Sequence, residues 1–219
     1  LGWCGLTIPE QYGGAEFGLM ELVMLLDEMG RAALPSPYFS STVLCAPLIN
    51  IAGSEEQKSE LLPRIASGES IFAFALTEST ATYEPDGIET TATIDKDLFL
   101  LNGTKLFVHD AHCADYIICV ARTRVWTTPE EGISIFLVDP KSPGITITPL
   151  QTIANDHQNE IIFDNVSVPA ANLIGELDQG WLAGRNVTVA RCLFRSTEPP
   201  WVEHDGQRTE YLRDPFGLV

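Results

Sequence analysis

Thr91-Ala92-Thr93-Ile94-Asp95-Lys96-Asp97-Leu98-Phe99-Leu100-Leu101-Asn102-Gly103 carries the strongest structural signal in the chain. β-Branched and apolar residues alternate with a period of two, as a half-buried strand requires. Asp95-Lys96-Asp97 and Asn102-Gly103 read as short turns of the kind that join neighbouring strands. The same period extends over the flanking sequence from Ile71, through Tyr116-Ile117-Ile118-Cys119-Val120, then Gly132 to Asp139, Ile145 to Leu150 and Glu160 to Asp164. About seven such strands suffice for a small antiparallel barrel or sandwich.

Upstream the period becomes helical. Leu19, Leu22, Val23, Leu25, Leu26 and Met29 form an apolar face around Glu21, Asp27 and Glu28, and Gly30 and Pro35 end it. Ser54-Glu55-Glu56-Gln57 is a capping-box start followed by inward Leu61, Leu62 and Ile65, with Gly68 as the stop. After Pro169 a helix is expected again, with Trp181, Val187, Val189 and Leu193 as inward positions. The tail from Ser196, with Pro199-Pro200-Trp201 and Asp214-Pro215, shows no amphipathic period and reads as extended or irregular. The expected organisation is α+β: an N-terminal helical domain over 1–70, an antiparallel β domain over 71–175, the start of a second helical region over 176–195 and an irregular tail over 196–219. Leu1 opens without Met, a basic region or a cleavage signal, so this boundary reads as a cut in the helical domain. Segregated helices and strands leave a groove, which suits a planar cofactor.

Composition narrows the function. The 219 residues hold 30 Asp plus Glu against 13 Lys plus Arg, a net charge of -17, which repels phosphate backbones and excludes nucleic acid as the expected partner. The five cysteines are scattered without a C-x-x-C pair, which speaks against a disulfide framework or zinc knuckle and for a reducing, intracellular compartment. The longest apolar stretch, Thr42 to Ala52, is interrupted by Pro47 and is shorter than the roughly 20 residues of a spanning helix, so no membrane span is expected. Neither G-x-G-x-x-G nor a P-loop signature occurs. His109-Asp110-Ala111-His112-Cys113 contains good zinc donors at a spacing that fits no common site, so a solvated turn is expected there. Glu78 and Glu84 are close in sequence, but nothing makes them converge as an acid/base pair.

Six blocks in fixed order resemble the acyl-CoA dehydrogenase family: Leu6-Thr7-Ile8-Pro9-Glu10-Gln11-Tyr12-Gly13-Gly14, Phe74-Ala75-Leu76-Thr77-Glu78, Gly87-Ile88-Glu89-Thr90-Thr91-Ala92, Leu100 to Val108, Gly132 to Val138, and Ile161 to Pro169. Together they cover most of Leu6 to Trp181. The resemblance implies FAD held between a middle β domain and a C-terminal four-helix domain, with an acyl-CoA thioester against the flavin. In the family a glutamate removes the α proton while hydride leaves the β carbon for the flavin.

Carried over by motif, the resemblance implies that Phe74, Leu76 and Thr77 border the flavin. Phe107 lies against the ring where many members have Trp, followed by Val108 and His109. His109 stands where the family commonly has Thr, and Ser79-Thr80-Ala81-Thr82-Tyr83-Glu84 replaces a P-G-A-G-S-D type loop, placing Tyr83 where acyl-CoA or the pyrophosphate is contacted. No residue is assigned as the catalytic base, because the family's glutamate belongs to the C-terminal helical domain and nothing after Leu193 has that domain's length or period. The implied partners are the acyl-CoA substrate, an electron-accepting flavoprotein and further subunits of the same or another chain, in the cytoplasm or, in a eukaryote, the mitochondrial matrix. Two alternatives stay open: a non-catalytic flavin-binding or scaffold subunit that needs a partner chain, and a cofactor-free interaction module.

Overall fold

The computed structural model describes residues 2–125, 127–153, 156–181, 201–204 and 207–210, the last two segments by their backbone alone. Helix α1 (Leu19–Arg31) buries Leu22 and lays Leu19, Leu25, Leu26 and Met29 against Tyr38 and Val43. Its other side leaves Met20, Val23 and Met24 exposed. Phe39–Cys45 is a π-helical run, buried from Ser40 on, that continues into α2 (Ala46–Ala52). Pro47 does not interrupt this stretch; it sits where the π-helical run passes into the first turn of α2. Helix α3 (Glu55–Ala66) begins with the expected capping box: the Gln57 N–H donates to Ser54 Oγ at 3.2 Å and the Ser54 N–H to Gln57 Oε1 at 3.0 Å. Gly68, at φ +75°, follows its end in a conformation that glycine adopts without strain.

Eight strands build one sheet: β1 (Phe72–Ala75), β2 (Thr91–Asp95), β3 (Leu98–His109), β4 (Tyr116–Arg122), β5 (Ile133–Val138), β6 (Ile145–Pro149), β7 (Gln158–Pro169) and β8 (Leu173–Ile174). Their order is β6-β7-β3-β2-β4-β5-β8, with β1 also on β4. The α+β layout is as expected. The sheet stays open, ending at β6 and β8, and folds over on itself rather than closing. Its inner face encloses Ala75, Phe99, Leu101, Cys119, Phe136, Ile161 and Phe163. On its outer face Phe72, Ile118, Val120, Ile135 and Trp181 pack with Leu48, Ile49, Leu61, Leu62 and Ile65 from α2 and α3. The helical and β parts are therefore joined by a shared core.

Two readings of the strand region need correction. The sheet is not wholly antiparallel: β1 runs parallel to β4, pairing Phe72 with Tyr116 through Ala75 with Cys119, and β2 touches β4 in parallel at Thr91 and Arg122. Lys96-Asp97 does turn β2 into β3, with Lys96 at φ +59°. Asn102-Gly103 does not turn the chain. It lies inside the 12-residue β3, at a register irregularity against β7, where Gly103 has φ +150° and a Cβ would come within 2.6 Å of Thr90 Oγ1. A dipeptide that signals a hairpin also suits an irregular strand pairing close to another backbone, and β7 supplies the partner that selects the second use.

Outside the sheet, Trp201–His204 (β9) and Gln207–Glu210 (β10) pair antiparallel within the segment read as an irregular tail. Asp205-Gly206, between them in sequence, is the hairpin signal that points to this pairing. Of the helix expected after Pro169, Gly180 and Trp181 begin a helical turn, while Val187, Val189 and Leu193 lie outside the described residues.

Among the described residues β1 has β4 on one side and no strand on the other. Ser41, from the π-helical run, serves that free edge: its hydroxyl accepts the Phe72 N–H at 2.8 Å and donates to the Phe72 carbonyl at 3.1 Å. Both backbone groups are buried, so removing the hydroxyl leaves them unsatisfied. Ser41→Ala is expected to cost about 2 kcal/mol of unfolding free energy, read from urea midpoints at unchanged slope. Ser41→Thr, which retains the hydroxyl, is expected to recover part of that loss.

Candidate functional site

The segment leaving β1 meets β3 at one place. Leu76 is 3% exposed, with its side chain in the helix-facing core, and Thr77 is half-buried. The Thr77 carbonyl accepts the Leu106 N–H at 2.8 Å, which leaves the Thr77 hydroxyl as the polar side-chain group it can present. Glu78 and Lys105 form a buried ion pair: Lys105 Nζ is 2.6 Å from Glu78 Oε1 and donates to the Leu76 carbonyl at 3.0 Å. The Glu78 carboxylate also accepts the N–H groups of Glu89 at 2.9 Å and Thr90 at 3.1 Å. Residues 76–78, 89–90 and 105–106 are thereby tied into one knot.

Next to the knot β3 bulges. Lys105 pairs with Ile161 and Val108 with Asn159, so β3 advances three residues while β7 advances two. Leu106 and Phe107 share the extra length, and Phe107 adopts φ +56°. Left-handed backbone is uncommon outside glycine and, for a bulky residue, an outlier. A second bulge on β7 lies between the pairs Leu101–Val166 and Gly103–Phe163, and the residue at φ +52° there is Asn165. Asparagine tolerates that region, and Asn102 clamps it by accepting the Asn165 N–H at 2.9 Å.

The implied site residues thus separate. Phe107 is 46% exposed, Thr77 is half-buried beside it in the knot, and His109 is exposed two residues on. Phe74 is half-buried on β1 and packs against the helix-facing core. The side chains of Leu76 and Val108 are enclosed in the helix-facing and inner cores respectively, so either could reach a ligand only through its main chain. Tyr83 is 42% exposed in the loop after the turn in which the Ala81 N–H donates to the Glu78 carbonyl at 2.9 Å. That loop is anchored further on by Arg122, whose guanidinium donates to the carbonyls of Pro85, Ile88, Pro129 and Glu131.

His109 pairs across the ladder with Gln158, and the His112 and His157 rings meet edge-on at 4.9 Å. Among the described residues no group of three His, Cys, Asp or Glu side chains is placed to hold a metal ion. Burial pushes the Cys119 thiol up to about 12 and raises that of Cys45 as well, so neither offers a nucleophilic thiolate. No described helix is long and apolar enough to cross a membrane.

The family model described as acyl-CoA dehydrogenase, N-terminal domain, matches residues 1–69, and that of the middle domain matches residues 73–166. The chain belongs to the acyl-CoA dehydrogenase family. Acyl-CoA dehydrogenase FadE29 of Mycobacterium tuberculosis is 36% identical over 181 residues, covering 82% of this chain and 46% of the relative. An acyl-CoA dehydrogenase of Bacillus subtilis is 35% identical, covering 87% and 52%. Butyryl-CoA dehydrogenase from Megasphaera elsdenii superposes with a TM-score of 0.79 at 28% identity, over 88% of this chain and 52% of that one. A chain of the ChsE4-ChsE5 complex from Mycobacterium tuberculosis superposes with a TM-score of 0.78 at 33% identity, over 84% and 48%. The chain spans about half the length of the curated relatives it matches.

In this acyl-CoA dehydrogenase chain the residues that organise the site went unnoticed in the motifs. Lys105 and Asn159 are buried polar residues inside strands, and Arg122 ends one. Lys105 falls on the inward phase of Phe99 and Leu101, the one cue in the sequence that it needs a buried partner.

Proposed function

We propose that this chain supplies the flavin-facing β portion of an FAD-dependent acyl-CoA dehydrogenase that oxidises the α,β bond of an acyl-CoA thioester. The observation that carries the reading is Phe107, an aromatic residue with left-handed backbone and half its surface exposed, tied to half-buried Thr77 through the Leu106 N–H. A partly exposed aromatic residue on one segment and a half-buried threonine on the segment bonded to it suit a flat heteroaromatic ligand with a polar edge, so the residues present fit a flavin. Phe107 would lie against the ring, Thr77 would bond its polar edge through the hydroxyl or main chain, and His109 would approach from the following position. Phe74 would border the ring from β1, and Leu76 and Val108 would contribute through their main chain. Tyr83, on the exposed loop, would contact the acyl-CoA or pyrophosphate portion. FAD bound there would supply the acceptor for the hydride of the β carbon, with an electron-accepting flavoprotein as the partner that reoxidises it.

A second reading is favoured by the exposed apolar side of α1 and by the relatives' assemblies. Met20, Val23 and Met24 face outward with Phe17 exposed just before the helix, and the superposing structures include the ChsE4-ChsE5 complex and the Tcur3481-Tcur3483 steroid ACAD. On that reading the chain is a subunit whose flavin site is completed by a different chain.

An absorbance spectrum after incubation with FAD and desalting tests the proposal. A retained flavin band is expected, and it is expected to weaken in Phe107→Gly and Thr77→Val. If the chain neither retains nor spectrally perturbs flavin, alone or mixed with a family member that supplies the remaining half, the proposal fails.

A further inference from the structure

We infer that the buried Lys105–Glu78 pair, helped by Asn159, is a positioning device that holds Phe107 in its strained, outward-presented conformation. Nothing in Phe107 itself accounts for that conformation. The left-handed region is unfavourable for a bulky side chain, and Phe107, 46% exposed, is only partly buried in exchange. Such a residue persists only where its surroundings over-determine it. Here every neighbour is pinned. Lys105, 0% exposed, is fixed through Nζ to the Leu76 carbonyl and the Glu78 carboxylate. The Leu106 N–H is fixed to the Thr77 carbonyl, and the Val108 carbonyl accepts from Asn159 Nδ2 at 3.0 Å. Glu78 is held in turn by the N–H groups of Glu89 and Thr90, so the anchor is backbone rather than another mobile side chain.

The companion bulge supplies the contrast. At Asn165 the left-handed position is taken by a residue that tolerates it, and an asparagine clamp suffices. At Phe107 the residue is ill suited and the clamp is a buried ion pair. Buried ion pairs are seldom more stabilising than well-packed apolar residues of the same volume, so a positional role accounts for this one better than stability does. Because Lys105 grips Leu76 and Leu106 grips Thr77, the pair also sets the spacing between Thr77 and Phe107. This functional consequence rests on the flavin reading above; the clamp itself does not.

The test uses the full chain in four forms: parent, Phe107→Gly, Lys105→Met with Glu78→Gln, and all three substitutions together. Replacing both partners leaves no orphaned charge. Phe107→Gly is expected to shift the urea midpoint more favourably in the parent than in the doubly substituted form, because the burial and chain-entropy costs of the substitution are common to both and only the parent holds Phe107 under strain. Titration with FAD, followed by flavin fluorescence, is expected to show binding weakened by about tenfold in the doubly substituted form, the scale seen when an outer support of a ligand site is lost. Equal midpoint shifts in both backgrounds, or unchanged FAD affinity in the doubly substituted form, overturn the positioning role. A parent that binds no FAD, alone or mixed with a family member that supplies the remaining half, overturns the flavin reading, and the midpoint cycle still judges the clamp. Should the doubly substituted form not fold, amide exchange of Leu106 in the parent decides: protection matching that of the β3 amides supports the clamp, and free exchange overturns it.

Discussion

Lys105→Met alone is expected to destabilise the chain by about 3 to 5 kcal/mol, the usual cost of removing one member of a buried ion pair. The cost arises from what remains. Glu78, with a side chain 4% exposed, keeps its two backbone N–H donors but loses the cation 2.6 Å from Oε1, and the Leu76 carbonyl loses a donor at the same time. Adding Glu78→Gln is expected to recover most of the loss, because a neutral amide can still accept from Glu89 and Thr90 and no charge is stranded. Chemical denaturation of the three proteins at one pH checks this ordering. A single substitution no worse than the double would mean that the two groups do not act as a pair.

Arg122→Met is expected to cost about 3 kcal/mol, since the guanidinium serves four carbonyls at once. Two of them, in Pro85 and Ile88, belong to the stretch following Tyr83, and two, in Pro129 and Glu131, belong to the loop that leads into β5. Burial draws the Arg122 proton affinity down, opposed by the carboxylates of Glu78 and Asp86, so the charge is kept in place by its acidic neighbours. Arg122→Lys is expected to restore little, because an ammonium presents its donors from one point whereas the guanidinium spreads them across a plane. Unfolding midpoints should drop in both variants, with proteolytic cleavage rising in the loops at 85–88 and 129–131 before the β4–β5 ladder opens. Intact loops together with a lowered midpoint would refute this account of what Arg122 does.

What could be foreseen from the sequence was local. The capping box at Ser54 and Gln57, the inward leucines of α3 and the turn at Lys96-Asp97 each depend on residues within a few positions of one another. Asn102-Gly103 was ambiguous because the same pair suits a turn and an irregular strand, and the choice is made by β7, some 60 residues away. The parallel pairing of β1 with β4 has no local signature either, since a parallel neighbour is reached by a crossover and not by a turn. The family motifs pointed to the segments at Phe74–Glu78 and Leu100–Val108. They could not show that Leu76 and Val108 turn inward while Phe107 turns out. That division depends on one extra residue in β3 and on an ion pair between positions 27 residues apart.

The β3 bulge has a bearing on how such a chain can lengthen or shorten. Across it, Lys105 and Val108 face adjacent inward partners on β7, Ile161 and Asn159. Deleting Phe107 would bring Lys105 and Val108 to the ordinary two-residue spacing of a strand, with Leu106 as the outward residue between them, and every other pairing could stay as it is. In terms of gain and loss of residues, Phe107 occupies an insertion in β3, whereas the other irregularity of this ladder lies on β7. The scaffold does not need that position, which leaves it free to vary with whatever the site must face.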